Sequence, residues 1–481
     1  DSDGLRMSPP PVLHSVALGS GAAGGASTTP VIARNGVRLA FASTASDLGG
    51  GGGNGRSHVY LRDPTSAQSE RISDRVAALQ PSASEDYREP SLSADGASIA
   101  FSGSAGQIWA VIHGVARLAS SSLAGAPGNG PSQRPMLAGK GRHLLFESRA
   151  SNLVVADGNG TVSDIFRKDL ETGVVTLVSV GAGGEAANGA SVAPWASDDG
   201  RSVVFISNAG NLTPTPSNAH AQAVLLREDA TAPQRLLLSR NLATGEAGNG
   251  PSSDVRITPD GRFGVFASSA SNLVADDGNN ASDIFFFEIG SSGLLRLERL
   301  SLSIYGEEGN AGSFAPSISD DGRVVAFASD ASNLVELDRN GQRDVLLKDT
   351  RSRNVQRLSR SIDGLEPNGA SERPLISGDA SAIVFQSAAR NLAAGDSDAD
   401  VDIYSATLIE RTPIAIDTPL DQPRLAQFAL PAPSPPNAGC PGGFFVATIS
   451  DGPATGVVPG LFGVELLLDE PGTRTLAGGL N

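Results

Sequence analysis

Cysteine, lysine, histidine and aromatic side chains are all scarce in this 481-residue chain. The one cysteine, Cys440, excludes an internal disulfide framework. It sits between Gly439 and Pro441 with no neighbouring base, so nothing marks it as a nucleophile. Lysine occurs only at Lys140, Lys168 and Lys348, no basic run is present, and the formal net charge is −16. A chain this acidic is repelled by phosphate backbones and anionic lipid, so divalent cations are better partners than nucleic acid or a membrane surface. No apolar run approaches the ~18 residues of a membrane-spanning helix. The five histidines (His14, His58, His113, His143, His220) are scattered and form no H-E-x-x-H pair. Neither a G-x-S-x-G elbow nor a Gly-rich strand-to-helix turn occurs. These absences lead to the expectation that the chain is not an enzyme. A carboxylate pair in a channel leaves no linear signature, so a glycan-active enzyme stays open as an alternative. With aromatics at 5%, Trp109 and Trp195 are read as core residues rather than a sugar platform.

Glycine (57) and proline (30) are abundant while hydrophobic residues still make up 40%, which fits many short strands joined by turns. Self-similarity shows how they are arranged. Pro316–Asp349 reads PSISDDGRVVAFASDASNLVELDRNGQRDVLLKD, and Val255–Glu288 reads VRITPDGRFGVFASSASNLVADDGNNASDIFFFE. A third copy runs from Pro135 to Asp169, and weaker ones begin at Pro30, Pro90, Pro194 and Pro374. Their central aromatics are Phe41, Phe101, Phe146, Phe205, Phe266, Phe327 and Phe385, one for each of seven units.

Each unit reads as four strands, the first ending in a turn such as Asp320-Asp321-Gly322 where glycine supplies positive φ. Such units cannot bury both faces alone, so they stack on their neighbours and close into a ring. The expected fold is therefore all-β: a seven-bladed β-propeller over residues 1–416 with a small β extension at its C-terminal end. Val12–Leu18 resembles a fourth strand such as Leu177–Val180 and is expected to complete the last blade, with Ile409–Ile416 as the alternative.

The pattern P-x-[IL]-S-x-D-G-[RK], an apolar strand, S-x-A-x-N-L, an acidic turn and D-[IV]-[FYL] resembles the TolB-like, WD-repeat-type propeller repeats of exported bacterial proteins. It covers about residues 30–408; unit two lacks the Asn-Leu step and the acidic loop, and unit four replaces the acids with Thr213–Asn218. The repeat is informative about fold and weak about function.

The most chemical-looking feature is the loop between second and third strands. It carries Asp338, Asn340 and Asp344 in unit six, and Asp277, Asn279 and Asp283 in unit five. Unit seven has Asp396, Asp398, Asp400 and Asp402; unit three has Asp157, Asn159 and Asp164. Oxygens at alternate positions of a tight turn converge on a point, as in the first half of an EF-hand loop. The resemblance implies calcium at these four loops. The alternative is that the Asx side chains merely cap their own turn. Unit one, mostly glycine over Gly49–Gly55, is expected to hold no ion.

Residues 417–441 read as a proline-rich linker with polyproline character, and 442–481 as a tail with two apolar runs, Phe444–Ile449 and Leu461–Leu468. Strands of this kind need a partner, on the same chain or on another subunit. The reading that follows is a secreted, non-enzymatic structural protein that self-associates through 442–481 into an extracellular filament. The alternative is a binding module taking a glycan or protein at the propeller funnel. The start at Asp1 suits an exported protein whose signal peptide has been removed.

Overall fold

The computed structural model describes residues 5–7 and 10–410, apart from 18–20, 50–54, 65–67, 80–84, 156, 216–217, 229–232, 397 and 399. In the tail it describes 415–416, 425–427, 446–448, 464–469 and 473–478.

The repeats are seven antiparallel sheets arranged as the blades of a propeller. In blade 6 the strands run, from the axis outward, Ser313–Ile318, Val324–Ser329, Asp344–Asp349 and Val355–Arg357. The second strand reads as an unbroken small-and-apolar run because both its faces are covered, and every one of its residues is buried. All seven central phenylalanines are fully buried. Four of them stack on the aromatic opposite in the third strand, with centroids 5.5–5.9 Å apart (Phe41–Tyr60, Phe146–Phe166, Phe266–Phe285, Phe385–Tyr404). Each hydrophobic cluster bridges two blades: Val265 and Phe286 of blade 5 join Val325 and Phe327 of blade 6. Phe41 and Tyr60 of blade 1 join Val384 and Ile403 of blade 7, which closes the ring. Among the described residues the one α-helix is Asp74–Ala77.

Every inner strand is bulged at the same place. Thr29, Glu89, Arg134, Ala193, Asp254, Ala315 and Arg373 all have φ between 49° and 54° and none is glycine. The bulge turns a main-chain N–H towards the preceding blade. Thr29 N donates to Gln386 Oε1 (2.8 Å), Arg134 N to Glu89 Oε2 (2.9 Å), and Ala193 N to Glu147 Oε2 (2.8 Å).

At the far end of the inner strands the turns bond to one another around the axis, as in Gly378 N to Arg34 O (2.7 Å) and Asp320 N to Gly378 O (2.9 Å). Arg34 of blade 1 crosses the axis there. Its Nε donates to Asp320 of blade 6 at 2.9 Å and its Nη1 to Asp198 of blade 4.

The last blade is completed by the chain's first residues. Val12–Leu13 pairs with Asp402–Glu410 in the register Val12 to Ser405 and Leu13 to Tyr404, and Leu5–Met7 adds to the same sheet. The closing strand is shorter than Val12–Leu18 because Ser15 turns inward. Its Oγ donates to Asp402 Oδ1 (2.5 Å) and accepts the Ile403 N–H (2.9 Å). Ser179, Ser301 and Ser359 make the same two bonds in blades 3, 5 and 6. The N-terminal segment thus carries the fourth-strand signature of the repeat.

His14 is buried in this closure with Nε2 2.7 Å from Ser405 Oγ. Burial, aided by Arg62, pushes its pKa down to about 3. A depressed value means that the unfolded chain takes up the proton first. The stability is complete above about pH 6.5 and is lost as pH falls towards 3. Each pH unit in that window is worth about 1.4 kcal/mol. Chemical denaturation at pH 7 and pH 5 is expected to show the parent losing about 2 kcal/mol more than His14→Gln. Equal losses in both proteins would exclude His14 as the source.

The chain divides into two compact units, Arg6–Ile409 and a second made of Asp1–Leu5 and Glu410–Asn481. Within the tail, Val464–Asp469 forms an antiparallel hairpin with Thr473–Gly478, and Ala415–Ile416 adds to the latter's other side. Val446–Thr448 pairs with Leu425–Gln427. Both apolar runs therefore pair with strands of the same chain. The rest of the proline-rich 417–441 lies outside the described residues.

Candidate metal centre

The loops between second and third strands lie on the face opposite the Arg34 crossing. The recurring asparagines hold them in place. Asn152 Oδ1 accepts the Asn129 N–H (2.9 Å) while its Nδ2 donates to Pro127 O (2.8 Å), tying the acidic loop to the glycine loop that enters the same blade. Asn211, Asn272, Asn333 and Asn391 repeat both bonds. The Asn-Leu and Asn-Gly steps of the repeat are thus staples between loops.

On this scaffold the four acidic loops divide into two kinds. In blade 6 a guanidinium occupies the point where the loop oxygens converge. Arg357 of the fourth strand lies 3.2 Å from Asp338, 3.2 Å from Asp344 and 3.5 Å from Glu366. Blade 5 is built the same way: Arg299 lies 3.0 Å from Asp277, 3.7 Å from Asp283 and 2.7 Å from Glu308. Asn279 and Asn340 donate to Asp283 and Asp344 from within the loops. Burial still holds the Asp277 and Asp344 carboxyls up at about 6. These two loops, expected from sequence to take calcium, carry their own organic cation.

Blades 3 and 7 have leucine where that arginine stands. Arg357 pairs with Leu346 and Arg299 with Phe285; the equivalent partners are Leu177 for Phe166 and Leu13 for Tyr404. In blade 7 the carboxylates of Asp396, Asp398 and Asp402 each offer one oxygen, and the three lie within 4.8 Å of one another. Asp402 is fully buried, and both its Oδ2 and Asp396 Oδ1 are buried without a hydrogen-bond partner. The other oxygens are taken, Asp402 Oδ1 by Ser15 and Asp396 Oδ2 by the Tyr404 hydroxyl. Burial and then the neighbouring Asp396, Asp398 and Asp400 charges hold the Asp402 carboxyl up at about 7. Asp400 stands outside the triad, its N–H donating to Asp398 Oδ1 at 2.9 Å. Blade 3 is a thinner version. Asp164 Oδ2 and Asn159 Oδ1 are buried and unpartnered, and the Asn159 N–H reaches Asp157 Oδ1 at 3.4 Å. Burial raises Asp164 to about 6.

Orphaned buried oxygens are costly unless something positive meets them. The oxygen set of blade 7 suits a hard divalent cation, which takes six to eight such ligands when it is calcium. Sequence reading found the acids but missed the cation already present in two loops. The signal was available: arginine precedes the Leu-Ser step in units five and six (Arg299, Arg357), and apolar residues stand there in units three and seven.

No protein-family model matches the chain, and no curated protein sequence matches it. Solved structures do. A TolB-type protein from Agrobacterium tumefaciens is 16% identical with a TM-score of 0.37, covering 68% of this chain and 92% of its own. An oligogalacturonate lyase in complex with manganese is 14% identical with a TM-score of 0.46, covering 85% and 99%. The chain's own seven sheets make the fold a seven-bladed propeller. An oligogalacturonate lyase from Vibrio parahaemolyticus (12%, TM-score 0.47, 85% and 97%) stands beside these. A prolyl endopeptidase (13%, TM-score 0.46) is covered over 52% of its length.

These comparisons correct two expectations. Lyases and an endopeptidase stand among the similar structures, and the described strands of both apolar runs pair within this chain, so the expectation of a non-enzymatic, self-assembling structural protein is withdrawn. The expectation that the chain is no enzyme falls with it, because this fold is compatible with catalysis. Among the described residues no helix is long and apolar enough to cross a membrane.

Proposed function

We propose that this chain is an exported calcium-binding propeller in which a cation held by Asp396, Asp398 and Asp402 locks the ring at its closing blade. One observation carries the reading. Of the two acidic loops that lack an arginine, the one in blade 7 also grips the closing strand, through the bond from Ser15 to Asp402. A cation there neutralises three acids and fixes Asp402 as the acceptor for Ser15, so ring closure and metal binding are coupled. Calcium is favoured over magnesium because it accepts an irregular, protein-supplied oxygen shell. Extracellular calcium modules bind at about 10⁻⁴–10⁻³ M, which suits a protein outside the cytoplasm. Blade 3, with two carboxylates and an amide, is a weaker second site.

The test is calorimetric titration of the dialysed protein with calcium, followed by thermal melts. Calcium at a hundred times its Kd is expected to add about 2.7 kcal/mol of stability. Asp398→Asn keeps the bond from the Asp400 N–H but removes a charge, and is expected to abolish the tighter site. Asp338→Asn in the arginine-filled loop is expected to leave the titration unchanged. Calcium binding that survives Asp398→Asn would refute the assignment.

A further inference from the structure

The channel along the axis is lined by the inner strands, and it holds arginines as well as acids. In a chain of net charge −16, four inner strands carry arginine: Arg88 in blade 2, and three further round the ring, Arg134 in blade 3, Arg256 in blade 5 and Arg373 in blade 7. Arg256 lies deepest of the three, two residues beyond the bulge. Its guanidinium carbon sits 4.2 Å above the centre of the Trp195 ring from the neighbouring blade. Among the described residues its Nε is buried with no hydrogen-bond partner, and its one polar contact is Nη1 to the Val255 carbonyl at 3.4 Å. No carboxylate lies within 4.0 Å of it among the described residues. Arg134 and Arg373 are exposed at the bulge itself, nearer the face that carries the acidic loops. The charges of Asp254, Arg134 and Arg373 all act on Arg256.

The acids that share this lining are already satisfied. Glu89 accepts from Ser102 Oγ (2.8 Å) and the Arg134 N–H (2.9 Å). Glu147 accepts from Gln133 (2.5 Å) and the Ala193 N–H (2.8 Å), with Arg134 Nη1 at 3.7 Å. Glu372 accepts from Gln386 (2.8 Å) and Arg343 (3.3 Å), and Asp254 from Ser253 Oγ (3.2 Å). The donors left over are guanidinium groups. Arg34 bridges the channel at its other end, so the arginines face a recess entered from the acidic-loop face.

We infer that this recess is a binding site for a small dicarboxylate, received by Arg256 at its base and by Arg373 and Arg134 nearer the mouth. A guanidinium backed by an indole keeps its planar edge free, and that edge matches a carboxylate with two parallel N–H···O bonds. Stacking also lets the cation remain buried before the ligand arrives. The spread of arginines over blades 3, 5 and 7 favours a ligand with two separated anionic ends over a single ion.

The experiment is calorimetric titration of the calcium-saturated protein with succinate, and with its neutral diamide as control. Saturable succinate binding that weakens with added salt is expected, with none for the diamide. Arg256→Gln is expected to weaken it about tenfold or more. Arg373→Gln, at an exposed position that bears no packing, is expected to weaken it several-fold and covers the case in which Arg256→Gln fails to fold. No saturable binding of succinate to the parent, or equal binding by parent and both variants, overturns the inference. Because calcium is saturating throughout, its failure is distinguishable from failure of the metal site.

Discussion

In Arg357→Leu, the metal-free protein is expected to lose about 3–5 kcal/mol of stability and to recover most of it on addition of calcium. Leucine is the residue that blades 3 and 7 carry at this register, so its shape is one the blade accepts. The loss is electrostatic. Asp338 and Asp344 are 4% and 1% exposed, and they lose the charge that stands 3.2 Å from each. Removing one member of a buried ion cluster leaves the others uncompensated, which costs more than the cluster itself contributed. Asp338, Asp344 and Glu366 then form an arginine-free acidic cluster like that of blade 7. Urea denaturation in calcium-free buffer and in saturating calcium reads both effects. A variant as stable as the parent without calcium, or one that gains no response to it, would show that the guanidinium is not standing in for a metal.

Deleting residues 1–15 is expected to cost about 5 kcal/mol and to leave a protein with a lower, broader melting transition. The deletion removes the buried side chain of Leu13, worth about 1.5–3 kcal/mol. It also removes the His14 N–H bond to Ile403 O (2.7 Å) and both bonds of Ser15, one of them to a carboxylate. Such bonds are worth about 1 kcal/mol each, and roughly twice that where one partner is charged. Blade 7 is left with an open edge, and an edge accepts an added strand. A synthetic peptide of residues 1–17 is therefore expected to restore the transition, and to do so at lower concentration in calcium. An unchanged melt in the truncated protein would mean that the ring does not depend on this closure.

The fold was legible because its determinants are local and repeated. A buried phenylalanine recurs in every unit, a glycine turn before it in most, and an acidic Asp/Asn loop after it in units three, five, six and seven. Ring closure was legible for the same reason, since Val12–Ser15 imitates the end of every other unit. The candidate site was legible only in part. The loop acids are contiguous in sequence, but the arginines that fill two of the loops arrive from another strand, Arg299 some way beyond Asp277 and Asp283. Which loops stand open is decided by register across the sheet. Arg256 was hidden for a different reason. The bulge at Asp254 breaks the alternation of the inner strand, so the usual count of in and out residues fails at that point.

The joining of His14 to Ser405 across 391 residues also sets the order of folding. During synthesis the strand Val12–Leu13 emerges long before its partner, Asp402–Glu410, which is among the last of the propeller to be made. Blades 1 to 6 can stack as they appear, each on the one before. The ring itself can shut only after the seventh is complete. Until then the growing stack is an open arc with an uncovered sheet face at each end, and contacts this remote in sequence form slowly. The interval between the sixth blade and closure is when the chain is most exposed to mispairing with its neighbours.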